Sequence, residues 1–213
     1  MNTAGCYQTI NKSTEIKQTV KKSRFIASIE EIKNEEEARL FLKLIIQQFP
    51  DATHHCWAYK YGVGEKDIEQ YSDGGEPANS AGPPILQAIK KEKVTNVMVV
   101  VSRYFGGIKL GISGLIQAYR DTALKGLQVA GKVKKISLQE YIIENVEYQN
   151  LGNVLQSIES MCGRIADIKY GEKIYIKSYL PEKNHTQITQ IVKSATRGEG
   201  RIRLGERRWY RVQ

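Results

Sequence analysis

Apolar and polar residues alternate along the first part of the chain with the two-residue period of β-strands. Glu15 to Val20 and Phe25 to Ile32 both show this alternation, on either side of the basic stretch Lys21 to Arg24. Alternate side chains of a strand point to opposite faces of a sheet, so each segment is expected to bury one face. The pattern therefore predicts two consecutive strands near the beginning of the fold.

The period then changes to that of a helix. Asn34 is a good N-cap residue, Glu37 occupies the capping-box position, and Pro50 disfavours continuation. An apolar stripe at helical spacing lies between them: Ala38, Phe41, Leu42, Ile45 and Phe49. We expect one amphipathic helix that ends before Pro50.

Four further elements are predicted up to residue 130. His54 to Tyr61 has the aromatic content of a strand, and the Gly- and Asp-rich stretch Gly62 to Pro84 is typical of an ordered loop. Asn96 to Ser102 is almost entirely apolar, as in a central strand buried on both faces. Helices are predicted from Ile85 to Lys93 and from about Gly114 to Lys125.

The basic stretch Gly131 to Lys135 (GKVKK) is a candidate domain boundary, which we place between residues 133 and 134. Beyond it the order βαββαβ is predicted, a ferredoxin-like split motif. Its strands cover 136–146, 164–170, 173–180 and 201–212, and its helices cover 147–161 and 182–195. The fold class is thus α+β, with domains at 1–133 and 134–213.

Composition favours a polyanionic partner. Lys plus Arg number 32 against 23 Asp plus Glu, giving a formal net charge of +9, which attracts nucleic acid or anionic lipid. Three separated cysteines without a CxxC pair argue against disulfides and structural zinc. No segment has the apolar run of a secretion signal or membrane helix, so we expect a cytoplasmic protein without cofactor or metal.

The strongest local motif is RYFGGIKLGISG, from Arg103 to Gly114, between a strand and a helix. Glycines allow positive φ and close approach to the backbone, and exposed amides there can bind an anion. Arg103 and Lys109 would add full charges. The motif is not a Walker A sequence, because Ile112 occupies the position of the essential lysine. An anion site and a tight structural turn both remain open. The candidate anion- or nucleic-acid-binding residues are Arg24, Arg103, Tyr104, Gly106, Gly107, Lys109, Gly111 and Gly114.

Other candidates are weaker. Asp73 and Glu76 could bind a cation or act in acid–base catalysis, although turns contain such residues for conformational reasons. His54 and His55 are adjacent on a strand and should face opposite ways, so they could not both ligate one metal without distortion, and a site with one His and the acidic residues stays open. The Arg-rich end of the chain forms a secondary basic patch suited to phosphate: Arg197, Arg201, Arg203, Arg207 and Arg208.

Several of these motifs together resemble the YigZ/IMPACT family. The motifs are SRFIA at 23–27, ATHHCWAYKYG at 52–62, YSDGGEP at 71–77 and SRYFGGIKLG at 102–111. Membership implies a first domain like domain 2 of ribosomal protein S5 and a second like domain V of elongation factor G. Both relatives act on ribosomal RNA. The chain departs from the family pattern at Gly74, where a second aspartate is usual, and at Gln117, where arginine is usual.

Three hypotheses follow. The first is an RNA- or ribosome-binding protein with a role in translation or its regulation, with Tyr59, Tyr61, Tyr71, Tyr104 and Phe105 available for base stacking. The second is a protein-binding translational regulator, as the resemblance to eukaryotic IMPACT implies. The third is an enzyme acting on a small phosphorylated or peptidic substrate, which requires a pocket beside His54 or His55, Asp73 and Glu76.

Overall fold

The first of two compact units covers residues Met1–Lys134 and the second covers Lys135–Gln213. The computed structural model describes residues 5–64 and 67–212. The elements of the first unit are β1 (Cys6–Ile10), β2 (Thr14–Val20), β3 (Ser23–Glu31), α1 (Glu35–Gln48), β4 (His54–Tyr61), β5 (Ile68–Ser72), α2 (Gly82–Glu92), β6 (Val97–Tyr104) and α3 (Gly111–Ala130).

One sheet organises the first unit, with strand order β2-β3-β6-β4-β5. Every one of these neighbouring pairs is antiparallel. The apolar strand β6 lies in the middle and is buried along nearly its whole length, as its sequence predicts. The ends of β3, β4 and β6 meet where His54 opposes Arg103 and Arg24 opposes Tyr104. This end of the sheet holds most of the candidate residues.

Helices cover both faces of this sheet. On one face, α2 and α3 pack on Phe25, Cys56 and Val99 through residues such as Ile85 and Tyr119. On the other face, α1 packs on a second set of side chains that includes Tyr59 and Met98. The predicted stripe of α1 is confirmed, because all five of its apolar residues belong to this second cluster. The side chain of Asn34 caps α1 by accepting a hydrogen bond from the Glu37 amide at 2.9 Å.

Several details of the first unit differ from the sequence prediction, including helix α2, which begins at Gly82 rather than Ile85. Strand β5 lies inside the stretch predicted as loop. It was not predicted because its polar edge-strand sequence, IEQYS, carries no clear apolar period. Strand β1 was not predicted either, although Thr9 and Ile10 are buried. Helix α3 begins at Gly111, three residues earlier than predicted, and runs on to Ala130.

The second unit contains α4 (Tyr148–Ser160), β8 (Arg164–Lys169), β9 (Ile174–Leu180), α5 (His185–Ala195) and β10 (Arg201–Arg211), with a short 3-10 helix at Glu182–Asn184. Its first strand, β7 (Lys132–Val146), starts within the stretch taken as a boundary. The predicted order βαββαβ is observed. The strands lie in the order β10-β7-β9-β8, antiparallel throughout, and α4 and α5 share one core with the sheet.

Among the helices of the described residues, none has the length and apolar character that crossing a bilayer requires.

Candidate functional site

Arg103 and Glu76 form a buried ion pair at the end of β6. Arg103 Nη1 lies 2.6 Å from Glu76 Oε1, and the two side chains are 6% and 3% exposed. The guanidinium also lies 5.5 Å from the ring centroids of Phe25 and Phe105. The sequence suggested Arg103 as an anion ligand, but its charge is directed into the protein and neutralised by Glu76. An external phosphate would have to displace this carboxylate.

Glu76 is held by further polar contacts. The hydroxyl of Tyr119 on α3 donates to Glu76 Oε1 at 2.7 Å, and burial raises the pKa of Tyr119 above its ordinary value. His54 Nε2 lies 3.9 Å from Glu76 Oε2. The nearby Cys56 thiol donates to the Asp73 carbonyl, and burial raises its pKa to about 12. These contacts connect β4, β6, α3 and the loop after β5, and they account for Glu76 without an external ligand.

Asp73 has a structural role as the cap of α2. Its Oδ1 accepts hydrogen bonds from the amides of Ala81 and Gly82, each at 2.9 Å, and its Oδ2 accepts from Asn79 at 2.8 Å. Helix α2 has no capping side chain at its own N-cap position, so Asp73 supplies the acceptor from eight residues away. A carboxylate with three backbone donors is already well satisfied, which weakens its candidacy as a catalytic acid or cation ligand.

His54 and His55 face opposite sides of the sheet, as adjacent strand residues should. His54 Nδ1 donates to the carbonyl of Gly74 at 3.0 Å, while His55 Nδ1 lies 2.9 Å from the Ser102 hydroxyl on the α1 side. Burial lowers the pKa of His55, an effect partly offset by a hydrogen bond to the Phe49 backbone. The structure therefore brings only His54 near Glu76. Among the described ranges 5–64 and 67–212, no three His, Cys, Asp or Glu side chains are grouped to hold a metal ion.

The glycine-rich loop is tied to the hairpin between β2 and β3. A Cβ on Gly106 would overlap the backbone of Lys22, so the two loops touch at a position where only glycine fits. The amide of Gly106 and the guanidinium of Arg103 both donate to the Ser23 hydroxyl at 3.3 Å. One part of the motif is thus a structural turn that brings two loops together.

The remaining candidate glycines of the loop have different roles. Gly107 and Gly111 have positive φ, at 83° and 75°, with open space around them. Gly114 lies within the first turns of α3 with a negative φ, against Leu110. Backbone amides at the start of α3 therefore follow directly after Lys109, in an exposed segment without an acidic first-turn residue.

Basic side chains surround this contact between the two loops. Lys21, Lys22, Arg24 and Lys109 are all exposed, and the Arg24 guanidinium lies 4.1 Å above the ring of Tyr104. Within the described residues none of the four has an acidic partner. We call these four residues the basic loop surface. The sequence pattern identified Arg24 and Lys109 as candidates but not Lys21 and Lys22, although these two lysines directly precede the SRFIA motif.

Lys21 and Lys22 occupy the hairpin turn with positive φ values of 44° and 66°. Two-residue hairpin turns with positive φ at both positions normally contain asparagine, aspartate or glycine. Lysine in this conformation is strained by about 1–2 kcal/mol per residue. The turn therefore places both lysines at the tip of the hairpin.

Apolar side chains are also exposed on the glycine-rich loop. Phe105, Ile108 and Ile112 are 48%, 42% and 61% exposed. The amide of Phe105 donates to the Thr53 hydroxyl at 3.1 Å, which fixes the backbone beneath the ring. The surface therefore combines positive charge with one exposed aromatic ring and two aliphatic groups.

The secondary basic patch of the second unit is divided by the strand geometry. Arg203 pairs with Glu144, and Arg207 pairs with Glu182 at 2.6 Å. Arg207 opposes Gln139 and Arg208 opposes Leu138, which are consecutive on β7 and face opposite ways. Arg201 opposes Glu144, and Arg197 lies in the turn after α5 with φ of 53°. The five arginines do not form one surface.

Comparison with known proteins agrees with the motifs. The family described as the Impact N-terminal domain matches residues 21–127. IMPACT family member YvyE of Bacillus subtilis is 34% identical over 201 residues, which cover 94% of this chain and 91% of YvyE. IMPACT family member YigZ of Escherichia coli is 32% identical, covering 85% of this chain and 89% of YigZ. A crystal structure titled as a hypothetical protein aligns over 95% of this chain and 98% of its own, with 28% identity and a TM-score of 0.66.

Proposed function

The chain belongs to the IMPACT family, and on that premise we propose that it binds RNA or the ribosome through the basic loop surface and acts in translation or its regulation. The observation that carries the proposal is the strained hairpin that presents Lys21 and Lys22 beside Arg24 and Lys109. Unpaired cations on fixed backbone suit the regularly spaced phosphates of RNA. Phe105 adds an exposed ring on which a base can stack.

The fold classes to which we assign the two units also support this proposal. In the second unit the order β10-β7-β9-β8 with two helices on one face fits the ferredoxin-like topology of domain V of elongation factor G. We assign the first unit to the class of domain 2 of ribosomal protein S5. Both assignments point to relatives that act on ribosomal RNA.

A salt titration of binding to purified ribosomal RNA tests the proposal. Changing Lys21, Lys22 and Lys109 to Gln should weaken binding at low salt and reduce the slope of log affinity against log salt by about 2 to 3. A matched control changes the same charge at exposed positions of the same unit: Lys43, Lys91 and Lys125. The proposal fails if wild-type binding is insensitive to salt, or if both triple variants behave alike.

A protein-binding regulator is the second candidate, and the exposure of Ile108 and Ile112 favours it. Changing both to Ser should then abolish a specific partner complex that the variant lacking Lys21, Lys22 and Lys109 retains. The enzyme hypothesis has less support. Asp73 and Glu76 are engaged internally, and a cavity of about 590 Å³ lies near Gly62 and Lys93 at the opposite end of β4 from His54.

A further inference from the structure

The sheet of the second unit has one face that its helices leave open. On the covered face, Ile174 and Ile176 are buried against α4 and α5. Alternation places Tyr175 and Tyr179 of β9 on the other face, where they oppose Lys169 and Arg164 of β8. The rings of Tyr179 and Tyr210 are 5.2 Å apart, which brings β10 into the same surface. The tyrosine face comprises Arg164, Lys169, Tyr175, Tyr179, Arg208 and Tyr210.

Each tyrosine of this face has a cation at its ring. The Arg164 guanidinium lies 5.4 Å from the Tyr210 centroid, and the Arg208 guanidinium lies 5.7 Å from that of Tyr179. The Lys169 ammonium lies 5.7 Å from the Tyr175 centroid. Arg164, Lys169 and Arg208 are exposed, and Tyr175 and Tyr210 are partly so. Rings and positive charges are therefore accessible side by side.

Buried polar contacts fix the orientation of this face. Glu140 lies beneath it, accepting a hydrogen bond from the Tyr179 hydroxyl at 2.8 Å and pairing with Lys177 at 2.6 Å. A Cβ on Gly205 would overlap the Glu140 carboxylate, so a larger residue there would require the Glu140 side chain to move. Tyr179 is itself buried and supports Tyr210 and Arg208. The accessible ring of Tyr210 is thus packed against a tyrosine whose own position is fixed.

We propose that the tyrosine face is a second nucleic-acid site, one that binds single-stranded RNA in preference to a duplex. The RNA-recognition module binds single strands by stacking bases on aromatic rings of its four-stranded sheet, and basic grooves in single-strand binders follow the phosphates. The second unit has 13 Lys plus Arg and 9 Asp plus Glu, a net charge of 13 − 9 = +4. In a duplex the bases stay stacked inside the helix, so a duplex can contact only the basic side chains of this face and not its rings. The inference is independent of the basic loop surface.

The stacking part is tested with a fluorescent oligouridylate of ~12 nucleotides, a length within the usual site sizes, measured by anisotropy. Changing Tyr175 or Tyr210 to Leu should weaken binding by about tenfold each, whereas Phe at the same positions should retain it. A duplex of equal length should bind more weakly than the single strand and respond little to either change. Equal affinity of the Leu and Phe variants, with melting curves matching wild type, would overturn the proposal.

The contribution of the basic residues to binding is tested with two triple substitutions to Gln. Removing the basic groups of the tyrosine face should reduce the salt slope for the oligouridylate by about 2, whereas the control on the helical layer should leave it unchanged. The face triple is Arg164, Lys169 and Arg208, and the control is Lys183, Lys193 and Arg197. If only the variant lacking Lys21, Lys22 and Lys109 loses binding, the tyrosine face is not a site, although the basic loop surface is. The reverse result supports the tyrosine face and contradicts the loop proposal.

Discussion

The buried pair of Arg103 and Glu76 gives a sharp prediction about stability. Changing Arg103 to Met keeps much of the apolar volume between Phe25 and Phe105 but leaves the Glu76 carboxylate buried without its cation. Removing one partner of a buried ion pair typically costs about 3–5 kcal/mol. We expect a loss of that size in the free energy of unfolding for Arg103→Met, and a comparable loss for Glu76→Gln, which strands the guanidinium.

The magnitude follows from the geometry. Charge centres about 4 Å apart attract by about 4 kcal/mol at an effective dielectric of 20, and this attraction offsets the desolvation of both groups. In the double variant both charges are gone. It should therefore cost at least about 2 kcal/mol less than the sum of the single variants, a coupling within the range seen for contacting residues.

Urea unfolding followed by fluorescence measures these values. The chain has two tryptophans, Trp57 in the first unit and Trp209 in the second. In a Trp209→Phe background the signal reports the first unit alone. Arg39→Met is a matched control, because Arg39 pairs with Glu35 at 2.9 Å on the exposed face of α1, and its midpoint should not change. A loss below about 1 kcal/mol for Arg103→Met, or strict additivity in the double variant, would refute the reasoning.

Three further predictions concern residues of the first unit, one of them with Cys162 of the second unit as its reference. Gly106→Ala should destabilise the first unit more than Gly107→Ala in urea titrations. The methyl group at 106 would overlap the backbone of Lys22, whereas the methyl group at 107 has open space and adds about 1–2 kcal/mol of conformational strain. Equal losses for the two variants would contradict this. In the native protein at pH 8 a maleimide should modify the exposed Cys162 rapidly and spare Cys56, because burial raises the pKa of Cys56 to about 12. Peptide mass spectrometry identifies the modified cysteine. Rapid labelling of Cys56 would show that it is not buried. Burial lowers the pKa of His55 from its ordinary value of 6.5 in the folded protein. The unfolded chain therefore binds more protons near this pH, and the free energy of unfolding should fall as the pH drops through 6.5 and below. A His55→Gln variant whose stability has the same pH slope as wild type would refute this.

Local patterns were sufficient to predict much of the secondary structure. The cap of α1 at Asn34, its buried stripe and the central position of β6 all follow from short-range periodicity and capping chemistry. The order βαββαβ in the second half follows from the same rules. Strand β5 was missed because an exposed edge strand needs no apolar period, and its pairing with β4 is decided by the sheet.

The sequence by itself determined where the glycine-rich motif lies and that it joins a buried strand to a helix. Only the tertiary structure decided which of its cations faces the solvent. Arg103 meets a carboxylate 27 positions earlier in the chain, and that contact turns the side chain inward. Lys21 and Lys22 become part of the surface because Gly106 lets their hairpin touch the loop. Spacing along one chain segment cannot predict such contacts, since they depend on how β3, β4 and β6 pair across the sheet.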